Sequence, residues 1–438
     1  MRKQKLKASL PLLLSLSGWA DAAVLYQDAE TELDAKLQGA VGAFHSRESY
    51  AQAGTRDAGS SRWQEATLQY GIDFRQRRPA TGELYGALDW VSSATFGDGD
   101  AAGWTMGDER TTKIENAYLG WRSMDALSQL GENALDVSAG RQTVVVGDGF
   151  LIAGDALNLG RGLLDGRVNR GGAYYLTGRR AFDKTAILRW GGERGLRGDL
   201  MWLESDNPAQ AKPELGVATL EHVVDEGTLG LTLIKVLDTD RELGELLYPE
   251  RRGMKVGSLR GQGNMGVPNL FLAAERAWED KRGGNESAWY LEAGWTFAEL
   301  PGKPSINYRY SRFSEGYDPL FYGNGRALGT WFQGEVASNY AGPFNTNTAV
   351  HHVGLKASVM DGLNLGVLVY SFDTLDRSLG NRDGREIDIY AEWNIDPHWT
   401  LLPLLGFYKP QRSVSGGGTQ LGDDRTNLYA QLLAVWSY

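Results

Sequence analysis

The feature that most constrains this chain is a repeat of two, recurring from end to end without any apolar run long enough to form a membrane helix. Trp289, Leu291, Ala293, Trp295 and Phe297 are apolar, with Tyr290, Glu292, Gly294 and Thr296 between them. Ile387, Ile389, Ala391, Trp393 and Ile395 alternate with Glu386, Asp388, Tyr390, Glu392 and Asn394. Similar runs lie at Leu33–Val41, Ile306–Tyr310 and Val353–Val359. Successive side chains on a strand point to opposite faces, so each segment has one apolar and one polar face. After the first residues no stretch reaches the roughly 18 apolar residues that a spanning helix needs.

A soluble sandwich can alternate in the same way, so the connections carry the decision. Eighteen strand candidates start near residues 30, 61, 82, 111, 135, 183, 196, 213, 227, 252, 269, 286, 304, 348, 363, 384, 399 and 425. Short turns at 78–82, 225–227, 360–362 and 396–398 alternate with long polar loops at 48–60, 97–110, 149–182, 239–251, 316–347, 376–383 and 411–424. Short turns on one rim and long loops on the other describe an outer-membrane barrel. The last strand places Leu432, Ala434, Trp436 and Tyr438 on one face, ending in an aromatic like the signal read by barrel-assembly machinery. Backbone groups in lipid must be paired, so the strands have to close. The expected fold is all-β: a transmembrane antiparallel up-and-down barrel of about 18 strands (16–20).

Residues 1–22 read as a signal peptide, with Arg2, Lys3, Lys5 and Lys7 before an apolar stretch and an Ala20-Asp21-Ala22 cleavage site. Residues 23–438 form the single barrel domain. The expected location is the outer membrane of a Gram-negative-type bacterium. Losing four basic residues and Asp21 shifts the formal charge from −10 to −13. That balance argues against nucleic-acid binding. The chain has no cysteine, which excludes a disulfide scaffold and a thiol nucleophile.

Residues 140–190 and 384–389 carry a resemblance. Gly140-Arg141-Gln142, then Gly147-Asp148-Gly149-Phe150, then Arg179-Arg180-Ala181-Phe182 leading into a strand, resemble the alginate-export family of outer-membrane proteins. Gly384-Arg385-Glu386-Ile387-Asp388-Ile389 looks like the same family near its C-terminal end. The resemblance implies an eighteen-stranded passive channel conducting anionic or sugar-like solutes, an exported polysaccharide such as a polyuronate among them, through an arginine-bearing constriction.

Between 141 and 190 lie Arg141, Arg161, Arg167, Arg170, Arg179, Arg180, Lys184 and Arg189, against Asp148, Asp155, Asp165 and Asp183. If the 149–182 loop folds inward, those guanidinium groups would favour carboxylates. Arg141, Arg179, Arg180 and Arg189 are therefore candidate pore residues, and the strand parity of Arg75, Arg309, Lys356 and Lys36 adds those positions. Arg141 shares parity with Leu135, Val137 and Ala139, which should face lipid, so either Gly140 marks a bulge or Arg141 sits at the rim. Asp34, Glu65, Asp73, Asp89, Asp136, Glu292, Glu386, Asp388 and Glu392 also have inward parity, either as a transverse field or as salt bridges within the wall. Glu386, Asp388 and Glu392 share one face of one strand and join the candidate site.

No Ser lies in a G-x-S-x-G elbow, and His351-His352 near Ser358 is the only suggestive histidine set, so the chain does not read as an enzyme. Asp98, Asp100, Asp108 and Glu109 either hold Ca²⁺ weakly or form a solvated acidic loop. No cofactor is implied. The expected partners are outer-membrane lipid and lipopolysaccharide, the assembly machinery through Tyr438, and an anionic or carbohydrate solute. The alternatives are a substrate-specific porin taking up small organic acids or aromatics, and a structural surface barrel plugged by its loops.

Overall fold

The computed structural model describes residues 23–438 apart from 79, 128, 130, 132 and 324–332; the signal-peptide reading at 1–22 falls outside them. Eighteen strands form the wall: β1 Thr31–Ser46, β2 Ser61–Arg78, β3 Gly82–Gly97, β4 Arg110–Arg122, β5 Leu135–Gln142 and β6 Phe182–Trp190. β7 Gly195–Glu204, β8 Glu214–Val224, β9 Gly227–Asp238, β10 Lys255–Gly263, β11 Leu270–Lys281 and β12 Gly284–Thr296 follow. The rest are β13 Ser305–Phe313, β14 Thr348–Met360, β15 Leu363–Thr374, β16 Gly384–Asn394, β17 Trp399–Pro410 and β18 Asn427–Ser437.

Each strand pairs antiparallel with its neighbours in sequence, and β18 closes on β1 with Tyr429 opposite Ser46 and Ser437 opposite Gln38. Closure leaves no open edge in the apolar layer. β18 covers only the later half of β1. The segment Ala23–Gln27 folds back antiparallel onto Glu32–Ala35 and covers the remainder. Tyr438 completes the seam: its amide donates to the Leu37 carbonyl at 2.7 Å, and its ring stacks 4.4 Å from His398.

The period of two maps onto the wall as expected. Leu229, Leu291 and Leu200 are 68%, 56% and 56% exposed on the outer surface, while Glu65, Asp89, Glu386 and Asp388 point inward and are buried. Trp295, Trp393, Trp399 and Trp436 lie on the outer surface toward the short-turn rim, where an aromatic girdle belongs.

The expected alternation of turns and loops has exceptions. On the long-loop rim, β11 and β12 are joined by Arg282 and Gly283 alone, and on the short-turn rim β4 and β5 are separated by residues 123–134. The connections 143–181 and 314–347 also differ from the solvated polar loops expected there. Val144, Leu151, Ile152, Tyr174, Tyr175, Val336 and Tyr340 are all buried, packed against inward faces of the wall in two apolar clusters. A short hairpin, Val145–Val146 against Ile152–Ala153, stiffens the first of them. Among the described residues helix is confined to short pieces, the longest being Arg241–Leu247.

Candidate functional site: the lumen and its infolded loops

The 143–181 loop crosses the lumen because inward carboxylates on the wall hold its backbone. Glu115 on β4 accepts from the Arg180 and Ala181 amides at 2.6 and 2.7 Å. Glu65 on β2 accepts from the Tyr175 and Leu176 amides at 3.2 and 2.9 Å. On the far side the Tyr290 hydroxyl of β12 donates to Asp148 at 2.6 Å. Gly172 lies so close to β3 that a Cβ there would sit 2.1 Å from the Ser93 carbonyl, so the contact requires glycine. These carboxylates accept buried N–H groups that a loop inside a barrel would otherwise leave unpaired.

The second infolded loop is latched in the same way. Glu386 on β16 accepts from the amides of Glu335, Val336 and Ala337 at 2.7, 2.7 and 2.8 Å. The Tyr175 hydroxyl donates to Glu335 at 2.8 Å and the Tyr174 hydroxyl to the Asn339 carbonyl at 2.8 Å, so the two loops brace each other. Burial pushes the Glu335 carboxyl up to about 8, partly offset by the Tyr175 hydroxyl.

Three of the arginines singled out in the sequence gather at one place. Arg141, Arg170 and Arg179 converge on Asp206, in the connection between β7 and β8, at 3.0, 2.9 and 2.8 Å. Arg170 also meets Asp155 at 3.1 Å, and Arg141 meets Asp183 at 2.8 Å. Burial alone would raise the Asp206 carboxyl; Arg170, Arg179 and Arg141 overcome it and hold the group well below the usual carboxylate range. Arg180 turns its Nε to the Thr177 carbonyl, and burial brings its guanidinium down to about 10.

Arg141 reaches this cluster because Gly140 is a bulge. Its φ is +126°, the register between β5 and β6 shifts between Gly140 and Gln142, and a Cβ on it would lie 2.3 Å from the Ala117 carbonyl. The extra residue reverses the facing of Arg141. Of the two positions left open by the sequence, the bulge is the one observed. Together with their carboxylates these arginines form a clamp that fixes the loop, rather than an open ring of cations.

The other sequence candidates are spread over the wall. Arg75 lies 3.1 Å from Asp34, Lys356 is ion-paired with Glu392, and Arg309 lies 3.8 Å from Glu292. Asp388 is fully buried on β16 beside Glu386, away from the arginine cluster. Arg189 borders open space, as the equally exposed Arg75 does, but has only loose contacts, to Asp199 at 3.9 Å and Asp136 at 4.0 Å.

That space is a lumenal cavity of about 550 Å³, bounded by Val145–Asp148 of the infolded loop. Arg122, Arg189, Arg197 and Arg260 line it together with Asp136, Asp199 and Glu221. Arg197 and Arg260 both pair with Glu221. Neither arginine was singled out in the sequence, although Arg197, Asp199, Met201 and Leu203 on β7 share inward parity and carry that signal. Asp206 gave no signal, being one acid in an ordinary connection.

A second cavity, about 220 Å³ and almost wholly apolar, opens among the long-rim loops between Trp104, Leu157, Tyr174, Tyr248, Tyr322 and Phe344. Leu151, Ile152, Phe182 and Phe321 pack in the apolar cluster beside it, and Ile152 bridges Phe321 through the backbone.

The acidic loop does not present a cation site. Asp100 accepts from the amides of Ala102, Trp104 and Thr105, and Glu109 from those of Met106, Gly107 and Arg161. Among the described residues no group of three His, Cys, Asp or Glu is placed to hold a metal. His351 bonds the Tyr308 hydroxyl on the outer face, His352 stacks on Tyr370 inside, and Ser358 bonds Asn364, so no hydrolytic set forms from these residues.

No known family profile matches the chain, and no characterised protein matches it in sequence. Its fold does match solved structures. A BenF-like porin from Pseudomonas fluorescens Pf-5 superposes with a TM-score of 0.59 at 10% identity, covering 93% of this chain and 98% of the porin. Pseudomonas aeruginosa OccD3 (OpdP) gives 0.56 at 12% identity over 95% and 93% of the two chains. OccK11 (OpdR) of the same organism gives 0.54 at 12% identity over 92% and 95%. The barrel is thus of the kind found in these Occ and BenF-like porins, and the resemblance to alginate-export proteins, a different barrel family, is overturned. The segments that suggested it answer local backbone needs. Gly140 makes a bulge, Gly147 and Gly149 adopt φ of +62° and +91° in the infolded loop, and Glu386 receives the other loop.

Proposed function

We propose that the chain is an outer-membrane channel of a Gram-negative-type bacterium through which small organic acids or aromatics diffuse inward. The observation that carries this reading is the size of what the infolded loops leave: a polar cavity of about 550 Å³, enough for one small solute. Arg189 borders it with its guanidinium held only by contacts of 3.9 and 4.0 Å, so a solute carboxylate can take up its hydrogen-bonding edge. The apolar pocket among the loops accepts the hydrocarbon or ring of the same class of solute on the long-loop side.

A solute passes only when the apolar packing of Leu151, Ile152, Phe182 and Phe321 yields. The channel therefore conducts less than an open eighteen-stranded barrel would. Nothing in the chain could couple transport to nucleotide hydrolysis, so direction follows the gradient. Proteoliposome swelling with a size series of monocarboxylates, neutral sugars and oligosaccharides tests the proposal. Fast swelling with small aromatic and aliphatic carboxylates, and none above disaccharide size, is expected. Equal rates for large oligosaccharides would refute it. No swelling with any solute would mean a barrel plugged by its loops.

A further inference from the structure

The outer wall carries a second arrangement, which does not depend on the transport reading. Lipid-facing positions are normally apolar between the two girdles, and a cation there costs free energy unless it lies at a membrane surface. Arg276 on β11 shares outward parity with Leu272 and Trp278, and it is exposed. Directly opposite it on β12 is Trp289, and directly opposite Trp289 on β13 is Arg312. Two arginines thus flank one tryptophan in a single outward row on adjacent strands.

Neither arginine forms an ion pair among the described residues; the nearby outward pair Lys255–Asp280, at 3.5 Å, shows that the same wall does pair cations where it needs to. The Arg276 guanidinium carbon lies 5.1 Å from the centre of the Trp278 ring, and Trp289 packs on Tyr310 at 5.2 Å, so the row is set in an aromatic cluster.

The height of the row fits a headgroup. Trp295, at the short-turn end of the same face of β12, is six residues from Trp289. At about 3.4 Å per residue and a tilt near 40°, that is roughly 16 Å along the membrane normal. An arginine stem rising toward water adds roughly 6 Å, bringing the guanidinium close to the far surface of an apolar band about 25 Å tall. By the register, the row stands at the long-loop side of an outward groove of about 720 Å³ lined by Leu220, Leu229, Leu259, Gly261, Ala274 and Leu291. Gly261 and Ala274 face each other across β10 and β11, which keeps the floor of the groove low.

We infer that Arg276, Trp289 and Arg312 form a binding site for the phosphate of an anionic lipid in the leaflet on the long-loop side, with one of its acyl chains lying in the groove. Guanidinium groups suit phosphate through paired hydrogen bonds, and charge complementarity selects this occupant over a zwitterionic lipid, which carries its own cation.

The experiment is native mass spectrometry of the full chain in uncharged detergent, with bisphosphorylated lipid A and the same lipid dephosphorylated as probes. Wild type is expected to retain the phosphorylated form at least about 10-fold more tightly, and Arg276→Gln/Arg312→Gln to lose that preference while Arg276→Lys keeps part of it. Millimolar inorganic phosphate is expected not to displace the lipid, because the groove contributes to its binding. Equal retention of the two lipids, or an unchanged preference in the double variant, overturns the site; displacement by phosphate alone would assign it to a free anion instead. Heat-modifiable migration checks that each variant is folded. Should the double variant fail that check, Ala274→Phe, which fills the groove, must weaken lipid retention on its own or the inference falls.

Discussion

Replacing Asp206 by asparagine removes the one anion on which Arg141, Arg170 and Arg179 converge. Asparagine keeps the shape and one acceptor oxygen but not the charge, leaving three arginines with only Asp155 and Asp183 among their ion-pair partners. Breaking a buried ion pair by removing one partner costs about 3–5 kcal/mol. Asp206 retains 30% side-chain exposure, so solvent screening argues for the lower end, about 3 kcal/mol. The cost falls on docking of the 143–181 loop and spares the wall, whose ladder hydrogen bonds do not involve Asp206. At about 1.4 kcal/mol per decade, the population with the loop released rises roughly 150-fold. Amide hydrogen exchange read by mass spectrometry measures this directly: peptides covering 155–181 should exchange about 100-fold faster in Asp206→Asn, while strand peptides stay protected. Single-channel records of the same variant should show more frequent openings. Unchanged exchange in 155–181 would refute the idea that the arginine cluster is a clamp, and loss of protection throughout the barrel would refute its confinement to the loop.

Two further outcomes follow from the same contacts. With its carboxyl raised to about 8, Glu335 holds a proton in the docked loop that it gives up when released, so docking is strongest below the ordinary carboxylate range and weakens as pH rises from about 4.5 to about 8. The lost contribution is on the order of 3 kcal/mol at pH 7. Conductance and exchange of residues 333–341 should therefore rise over that window, and Glu335→Gln should flatten the dependence; the same slope in the variant would exclude Glu335 as its source. Gly140→Val forces a β-branched side chain onto φ +126° and into the Ala117 carbonyl, and should lower the yield of folded barrel in refolding gels. A yield equal to that of wild type would mean the bulge is dispensable.

Wall and interior were not equally legible in the sequence. Strand positions come from a local period of two, and the starts read from the sequence agree with those observed to within three residues. Side-chain facing follows from the same period, as Ile387 outside and Glu386 inside show. The bulge at Gly140 was legible only as one of two possibilities, because a parity conflict reveals that something reverses the strand without saying where the side chain goes. Infolding of the 149–182 loop was legible only as a possibility, and that of the second long loop was not legible at all. It depends on pairing between residues far apart, such as Glu65 with Tyr175 and Glu386 with Val336, and no local pattern encodes that. The local charge excess between 141 and 190 misled for a similar reason, since Asp206 and Glu115, which neutralise it, lie outside that window. A motif such as Gly384–Ile389 is set by a local backbone need, since Glu386 receives the second infolded loop, and so says nothing of substrate.

The infolded loops leave a narrow passage in which, on the proposed function, Arg189 meets a small organic anion. Planar-bilayer conductance under a salt gradient, on wild type and Arg189→Gln, tests it most directly. Wild type is expected to carry small, anion-preferring currents that added benzoate-sized carboxylates transiently block, with both preference and block reduced several-fold in the variant, as follows from losing a charge-assisted hydrogen bond of about 1.5–3 kcal/mol, part of it screened by water. Large cation-selective currents, or carboxylate block that is identical in the variant, would contradict it.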